Sequence, residues 1–294
     1  MKKKFVLFSS LFCVLFLMSY KAYLQLTDNF AVENIVLELP HEKRWEMAYK
    51  EEEIENVRKI LSQSFRYLAK GRQSYAFESD DGQYVLKFMK CQRFKMHWLA
   101  KFLPGFDRKM KLKRKRKKEL FSSYYIAKNE CSDECALVFL QLNSQPFIHK
   151  TVKLIDKLGR VHEVDIDKTP FVIQRKITPV FTALQKVLEN GDTKKTYSLL
   201  KQITDTVAML SKRGIRDADP ALIKHQNIGF YGDTVAYIDI GTFKHVSRKK
   251  RAKFIRKDCE SLTRLCDWLQ MHDPKFSLFV QEQIAQSITA AKNE

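Results

Sequence analysis

Acidic residues are scarce in this sequence. Its 294 residues include 34 Asp and Glu against 53 Lys and Arg, a formal net charge of +19. Such an excess of positive charge favours anionic partners, whether phosphate ligands, acidic membrane surfaces or nucleic acid. Hydrophobic residues make up 45% of the chain and charged residues 30%, so most of it is expected to be globular.

The sequence also lacks a cysteine framework. Cys13 lies in an N-terminal apolar run, and the remaining cysteines are odd in number, which suits a disulfide network poorly. Cys131 and Cys135 are close together, but no second pair or His cluster matches them as zinc ligands. Structural or free thiols are therefore expected.

Long apolar runs are absent beyond the N-terminus. There, three lysines precede an apolar run from Phe5 to about Tyr20, the shape of a signal peptide or signal anchor. The run is short for a full membrane span, and no clear A-x-A cleavage site follows it. We predict an uncleaved anchor over residues 1–22, with a buried N-terminal helix as the alternative.

Alternating patterns and turn signals predict an α+β chain. Residues 23–64 are expected to form a linker and a charged helix, and residues 65–176 a mostly antiparallel sheet with one helix. Within that sheet, "SYAFES" and "YVLKF" flank Asp81-Gly82, a hairpin signal. Residues 177–294 have mainly helical spacing, with stops at Asn190-Gly191 and Gly214 and two further helices after residue 247.

One short stretch carries the residues that suggest chemistry. Between Ser211 and Phe243 the chain reads "RDADP", then "QNIGF", then "YIDIG", which places Asp217, Asp219, Asn227 and Asp239 close together in sequence. Carboxylate and amide oxygens suit a hard cation such as Mg²⁺. Each motif alone is common in turns, so their joint order is the informative feature.

That order resembles the protein-kinase-like superfamily. "IRD" is similar to the H-R-D of its catalytic loop, "YIDIG" to its D-F-G and "YVLKF" to its V-A-I-K strand. "KGRQSYAF" looks like an eroded glycine-rich loop. The resemblance covers about residues 65–270 and implies a two-lobed fold, with an antiparallel sheet lobe containing one helix and a mainly helical C-terminal lobe.

The resemblance implies ATP and Mg²⁺ as cofactors, because phosphoryl transfer needs the phosphate charge neutralised and its oxygens aligned. By resemblance, Lys87 would contact the α and β phosphates and Glu119 would pair with Lys87. Asp239 and Asn227 would hold the metal. Asp217, with Asp219 as the alternative, would take the proton of an acceptor hydroxyl.

The resemblance also implies the nucleotide contacts. The loop residues Gly71, Ser74 and Tyr75 would cover the phosphates, with Tyr75 as the aromatic tip. "QRKI", which includes Gln174 and Lys176, would contact adenine as the hinge between the lobes.

The sequence departs from the family pattern in two places. Ten positions separate Asp217 from Asn227, against the usual five, because the loop carries an insertion that includes Lys224. No A-P-E follows the D-x-G, and only residues 242–294 remain. The chain therefore looks more like compact bacterial kinases of small molecules or lipopolysaccharide sugars. A pseudokinase-like binding or scaffold module and an atypical protein kinase are the alternatives.

A basic segment with interspersed aromatic residues follows Lys87 and ends at Lys118. It could be a solvated face, a nucleic-acid site or a surface that lies on an anionic membrane with Trp98, Phe102, Leu103 and Phe106 inserted. The N-terminal segment favours the membrane over nucleic acid. The predicted acceptor is thus a hydroxyl of a sugar, lipid headgroup or lipopolysaccharide-type molecule. Use of ATP favours the cytoplasmic face, whereas a signal sequence would fit export.

Overall fold

The computed structural model describes residues 2–37, 41–96, 101–102, 104–219, 223 and 227–292. The chain forms two compact units. Unit 1 comprises Met1–Leu103 and Gln141–Ile173, and unit 2 comprises Pro104–Leu140 and Gln174–Glu294. The first is rich in strands and the second in helices, which confirms the predicted α+β class.

The sheet of unit 1 is built on three antiparallel hairpin pairs. Its strands are β1 (Phe65–Lys70), β2 (Ser74–Ser79), β3 (Tyr84–Met89), β5 (Thr151–Ile155) and β6 (Val161–Asp165). The hairpin pairs are β1-β2, β2-β3 and β5-β6. The predicted turn at Gly82 is confirmed by a positive φ of 69°, and Gly159, at the turn between β5 and β6, has a φ of 81°. With β4 (Leu137–Gln141) and β7 (Phe171–Arg175), the sheet has seven strands in the order β4-β7-β3-β2-β1-β5-β6. The pairing of β1 with β5 is parallel.

Side-chain alternation gives this sheet two different faces. Tyr75 and Phe77 of β2 and Leu86 and Phe88 of β3 are all fully buried. Successive side chains of a strand point to opposite faces, so the residues between them lie on the other face. The face with the four large side chains is the one that the core of unit 1 covers.

The N-terminal helix α1 (Lys2–Leu26) leads into a segment that helps to cover that face. Apolar side chains along α1 are exposed, among them Phe16 at 63% and Leu17 at 62%. Among the described residues, no helix meets the length and apolarity that a membrane span requires.

The chain after α1 differs from the predicted linker, because it packs into unit 1. Phe30 is 4% exposed and makes edge-on ring contacts with Tyr75, Phe77 and His162 at centroid distances of 5.3, 5.1 and 5.6 Å. Residues 23–64 do contain the predicted charged helix, α2 (Glu51–Ile60). The Arg58 side chain of α2 donates to the carbonyl oxygens of Phe147 and Ile148.

Asp28 fixes the start of this segment. Its carboxylate accepts hydrogen bonds from the Tyr67 hydroxyl at 2.7 Å and from Lys157 at 3.0 Å, and it pairs with Lys70 at 3.1 Å. These donors outweigh the effect of burial and lower the pKa of Asp28 to about 2. The segment is therefore bound to the sheet by both charge and packing.

Unit 2 is mainly helical. Its helices are α3 (Phe106–Glu130), α4 (Val180–Glu189), α5 (Thr193–Lys212), α6 (Arg251–Glu260), α7 (Thr263–Gln270) and α8 (Pro274–Lys292). Its short strands are β8 (Thr178–Pro179), β9 (Ile215–Asp217), β10 (Ile228–Tyr231), β11 (Thr234–Tyr237) and β12 (Phe243–His245). The predicted helix ends at Gly191 and Gly214 are confirmed, with φ of 66° and 80°.

Two sequence-based boundaries differ from the structure. A lobe boundary at residues 176 and 177 was expected, yet α3 belongs to unit 2, since His245 pairs with Glu130 at 2.9 Å and the Gln174 amide donates to the Cys135 carbonyl at 2.7 Å. Among the described residues after 247 there are three α-helices where two helices were expected. The additional break separates α6 from α7 at Ser261 and Leu262.

Candidate active site

The acidic stretch of unit 2 is held by a small strand pair. β9 and β12 are antiparallel, with Asp217 opposite Phe243. The fully buried Ser123 of α3 donates to the Ile240 carbonyl and accepts from the Phe243 amide. The chain that follows Asp239 is therefore fixed against α3 on one side and against β9 on the other.

Asp217 is a carboxyl of this stretch whose pKa is raised. Its Oδ1 accepts from the Thr242 hydroxyl and, at 2.9 Å, from the Asp219 amide. Its Oδ2 is buried and has no hydrogen-bond partner among the described residues. Burial raises the pKa of Asp217 to about 7; the negative charges of Asp239 and Asp219 add to this rise, and the two hydrogen bonds oppose it. A carboxyl with this pKa can take up a proton near neutral pH.

Asn227 lies beside the same group. Its Nδ2 donates to Asp219 Oδ2 at 2.9 Å, and its backbone oxygen accepts from Ile238 at 2.7 Å. Asp239 accepts from the Gly241 amide at 3.0 Å. The structure thus brings together all four residues that the sequence singled out. Lys224, from the insertion in the loop, lies outside the described residues.

Asn227 and Asp239 have the donor chemistry for a hard divalent cation. Because the amide nitrogen of Asn227 is bound to Asp219, its carbonyl oxygen is the end that can coordinate, and Asp239 supplies a carboxylate. Within the described part of the chain, no group of three or more His, Cys, Asp and Glu residues is arranged to hold a metal ion. One Asp with one Asn is a smaller set than such a group, and its oxygen donors fit Mg²⁺.

Unit 1 contains Gly71, Ser74, Tyr75 and Lys87, the residues predicted to contact the phosphates. Lys87 is half-buried in β3 opposite Ala76 of β2. Alternation places Lys87 and Ala76 on the face opposite to Tyr75 and Phe88. Tyr75 differs from the predicted aromatic tip: it is 1% exposed, and its hydroxyl donates to the Asn29 carbonyl at 2.6 Å. Its ring supports the sheet from the side covered by Phe30.

The turn between β1 and β2, residues 71–73, is tied down by basic side chains. The Lys90 ammonium donates to the Gly71 carbonyl and lies 4.5 Å from the centroid of the Tyr75 ring. Arg93 donates to the Arg72 carbonyl at 2.6 Å. Burial lowers the pKa of Lys90 to about 8, and the nearby charges of Lys70 and Arg93 contribute. This turn therefore lies in a positive environment that suits phosphate.

The remaining predicted residues have mixed placements. Gln174 is 1% exposed, and its side-chain amide donates to the carbonyls of Cys135 and Tyr237 at 2.7 and 3.1 Å, so that amide is already committed to the protein. Lys176 is exposed at the end of β7, and Ser74 is half-buried at the start of β2. Glu119 is exposed on α3 in unit 2. Its pairing with Lys87 of unit 1 stays a prediction.

Sequence reasoning did not identify three residues that organise these sites. Thr242 and Ser123 carry no motif, and each acts through a contact between residues far apart in sequence. Lys90 was counted within the basic segment, although its position one residue after β3 and next to a turn could have distinguished it. A hydroxyl side chain that contacts a D-x-G turn follows no sequence period or fixed spacing, so the sequence alone cannot identify it.

Comparisons with known proteins give likenesses of structure only. No protein-family model matches the chain, and no curated protein does. The streptomycin–ATP–APH(2″)-IIa ternary complex is similar over 84% of this chain and 88% of that chain, at 14% identity and a TM-score of 0.37. The bifunctional kinase-methyltransferase WbdD is similar over 74% of this chain at 14% identity and a TM-score of 0.34.

Neither likeness bears on the chemistry of this chain. This chain spans 43% of the WbdD chain, so it matches less than half of that protein. At these identities and scores, the two likenesses carry no conclusion about this chain or about the residues of the site. The proposals below therefore rest on the side chains of this protein.

Proposed function

We propose that this protein is a membrane-associated, ATP-dependent phosphotransferase that transfers the γ-phosphate to a hydroxyl of a sugar or lipid headgroup. The observation that carries the proposal is the group around Asp217 in unit 2. A buried carboxyl with a pKa of about 7 lies in one network with Asp219 and Asn227 and is close enough to Asp239 for the two charges to interact. Such a group joins a proton acceptor to oxygen donors for a metal.

The chemistry follows from these positions. The acceptor oxygen attacks the γ-phosphorus, the new O–P bond forms, and the bond to the β,γ-bridging oxygen breaks, so its electron pair leaves with ADP. Asp217 takes the hydroxyl proton. Lys87 and the basic turn at residues 71–73 would hold the phosphates. Mg²⁺ held by Asp239 and Asn227 would neutralise phosphate charge.

The proposal is tested by calorimetry of ATP binding to the full-length chain in detergent micelles. We expect binding that depends on Mg²⁺ and is lost in Asp239→Asn, because the amide removes an anionic ligand from the metal. Asp233→Asn is the matched control, because the Asp233 side chain is 71% exposed and forms an ion pair with Lys195. A wild-type chain that binds no nucleotide would contradict the proposal and favour the pseudokinase-like scaffold.

Membrane association is supported by two exposed surfaces. The first is the apolar surface of α1, and the second is the N-terminal half of α3. In the segment 108–118, all residues except Met110 and Leu112 are Lys or Arg, and most are exposed. Like charges at this density repel one another along a helix, so an anionic surface would stabilise it. The cytoplasmic face fits this role best, because ATP is available there.

Vesicle sedimentation tests the membrane proposal separately. Reversal of charge at Lys115, Arg116 and Lys118 to Glu should weaken binding to phosphatidylglycerol vesicles, and raised salt should weaken it further. The matched control reverses the same number of exposed charges on α4 and α5, at Lys186, Lys194 and Lys201. Equal loss in both variants would mean that only net charge matters and that the α3 surface has no special role.

A further inference from the structure

Segment 90–93 of unit 1, which directly follows β3, donates hydrogen bonds to the turn between β1 and β2. The Lys90 ammonium donates to the carbonyl of Gly71, and the Lys90 backbone amide donates to the carbonyl of Gln73 at 2.9 Å. The guanidinium of Arg93 donates to the remaining carbonyl of the turn, that of residue 72, at 2.6 Å. One short segment therefore binds every carbonyl group of this turn.

The amide groups of the turn are directed away from segment 90–93. In a trans peptide the C=O and N–H bonds point in opposite directions, and no described peptide bond is cis. Each carbonyl bound to segment 90–93 thus turns the next amide the other way. The amides of Arg72 and Gln73 donate to no other described group. Successive backbone amides of a turn are a common binding site for phosphate oxygens.

The direction of these peptides decides whether the turn attracts or repels an anion. If one peptide rotated, a carbonyl oxygen would face the phosphate in place of an amide. Gly71 has no Cβ, so the turn by itself has access to several backbone conformations. Hydrogen bonds from segment 90–93 remove that freedom before a nucleotide arrives, which lowers the entropy lost on binding.

The surroundings of Lys90 make its hydrogen bond sensitive to pH. Lys90 is 8% exposed, and its ammonium lies 4.5 Å from the centroid of the Tyr75 ring. Burial lowers the pKa of Lys90 to about 8; the charges of Lys70 and Arg93 add to this effect, and Asp28 opposes it. Asp28 has a pKa of about 2 and burial raises the pKa of Tyr75, so Asp28 stays ionised and Tyr75 stays neutral from pH 7 to pH 9.

We infer that Lys90 and Arg93 are positioning residues for the nucleotide, because they hold the carbonyls of residues 71–73 so that the amides of residues 72 and 73 bind the phosphates of ATP. This inference rests on the proposed phosphotransferase activity. Both side chains act through backbone carbonyls, so neither has to contact the nucleotide.

Calorimetry of Mg·ATP binding to the full-length chain in detergent micelles tests this role. Lys90→Met removes the ammonium and keeps an apolar side chain, and Arg93→Met removes the guanidinium. Each change should raise the Kd for Mg·ATP by about tenfold, because the turn loses a charged hydrogen bond that fixes one of its peptides. Lys153→Met, which removes an exposed lysine of β5, is the matched control and should leave this Kd unchanged. Adenosine, which has no phosphate, should bind equally to wild type and all three variants.

Two changes of condition separate positioning from a simple effect of charge. In about 0.5 M salt, the ratio of variant to wild-type Kd should stay near tenfold, since salt screens a distant charge but leaves the direction of a peptide unchanged. From pH 7 to pH 9, the affinity of wild type for Mg·ATP should fall relative to that of Lys90→Met, because the Lys90 ammonium loses its proton over this range.

The possible results lead to different conclusions. A variant that binds Mg·ATP as tightly as wild type, regains wild-type affinity at high salt or binds adenosine more weakly refutes the positioning role of its residue, and the phosphotransferase proposal survives. If the wild-type chain binds no Mg·ATP, both proposals are refuted. Thermal melts without nucleotide show whether each variant is folded, and if Lys90→Met does not fold, Arg93→Met decides.

Discussion

Phe30 is the residue whose replacement best tests whether the chain after α1 is a linker or part of unit 1. Phe30→Ala removes a side chain that is 4% exposed and contacts three rings. Replacing a buried Phe by Ala costs about 3 to 5 kcal/mol, from lost burial and the cavity left behind. Because α1, which precedes Phe30, is exposed, the neighbouring chain can move in to fill part of the cavity. We therefore expect a loss of about 3 kcal/mol in stability, at the lower end of this range.

Hydrogen exchange followed by mass spectrometry measures this loss within unit 1. A loss of about 3 kcal/mol is slightly more than two factors of ten in an equilibrium constant. The most protected amides of β2 and β3 should therefore exchange on the order of 100-fold faster. Phe102→Ala is the matched control, because Phe102 is 77% exposed and its loss should change stability by less than about 0.5 kcal/mol. Equal protection in the two variants would refute the packing of this segment.

Three further predictions concern single positions. In Asp217→Asn, stability relative to wild type should grow by about 2 to 3 kcal/mol from pH 5 to pH 8 in urea unfolding. In folded wild type, Asp217 keeps its proton up to a pKa of about 7, whereas in the unfolded chain it loses the proton near pH 3.8. Wild-type stability therefore falls as pH rises from 5 to 8. A stability difference between the two proteins that does not change with pH would contradict this. Gly71→Ala should leave the melting temperature unchanged, because the new Cβ meets only Ser74 atoms at 3.7 Å. The same change should weaken Mg·ATP binding if phosphate approaches this turn. An unchanged affinity for Mg·ATP would show that Gly71 is not part of the nucleotide site. Gly229→Ala should destabilise unit 2 by at least about 2 kcal/mol, because its Cβ would lie 2.1 Å from the Thr178 carbonyl oxygen; a thermal melt like that of wild type would show that β8 and β10 can separate.

Local signals predicted the elements that local chemistry determines. The hairpin at Gly82 and the helix end at Gly191 both need a positive φ, so a glycine marks them in the sequence. The acidic stretch of unit 2 was also predictable from local sequence. Its motifs "RDADP", "QNIGF" and "YIDIG" follow one another closely, so the chain has little length in which to separate their side chains.

Contacts between residues distant in sequence could not be predicted in this way. Phe30 has an ordinary apolar side chain after a long apolar helix, and only the sheet that it covers shows that it belongs to the core of unit 1. The sequence around Asp28 likewise gives no sign of its ion pairs with Lys70 and Lys157, which are distant in sequence. Neither residue takes part in a periodic pattern. The assignment of α3 to unit 2 has the same origin, since Ser123 carries no sequence signal.

The choice between Asp217 and Asp219 as proton acceptor depends on environment, which the sequence left open. Asp219 accepts from the Asn227 amide at 2.9 Å, so part of its carboxylate serves to orient that residue. Asp217 keeps one oxygen fixed by Thr242 and the Asp219 amide, and its other oxygen is buried without a hydrogen-bond partner among the described residues. A buried oxygen of this kind is stabilised when a proton arrives, because protonation removes an uncompensated charge. The two acids thus have different environments, which favour Asp217 as the base and Asp219 as the residue that holds Asn227 in place.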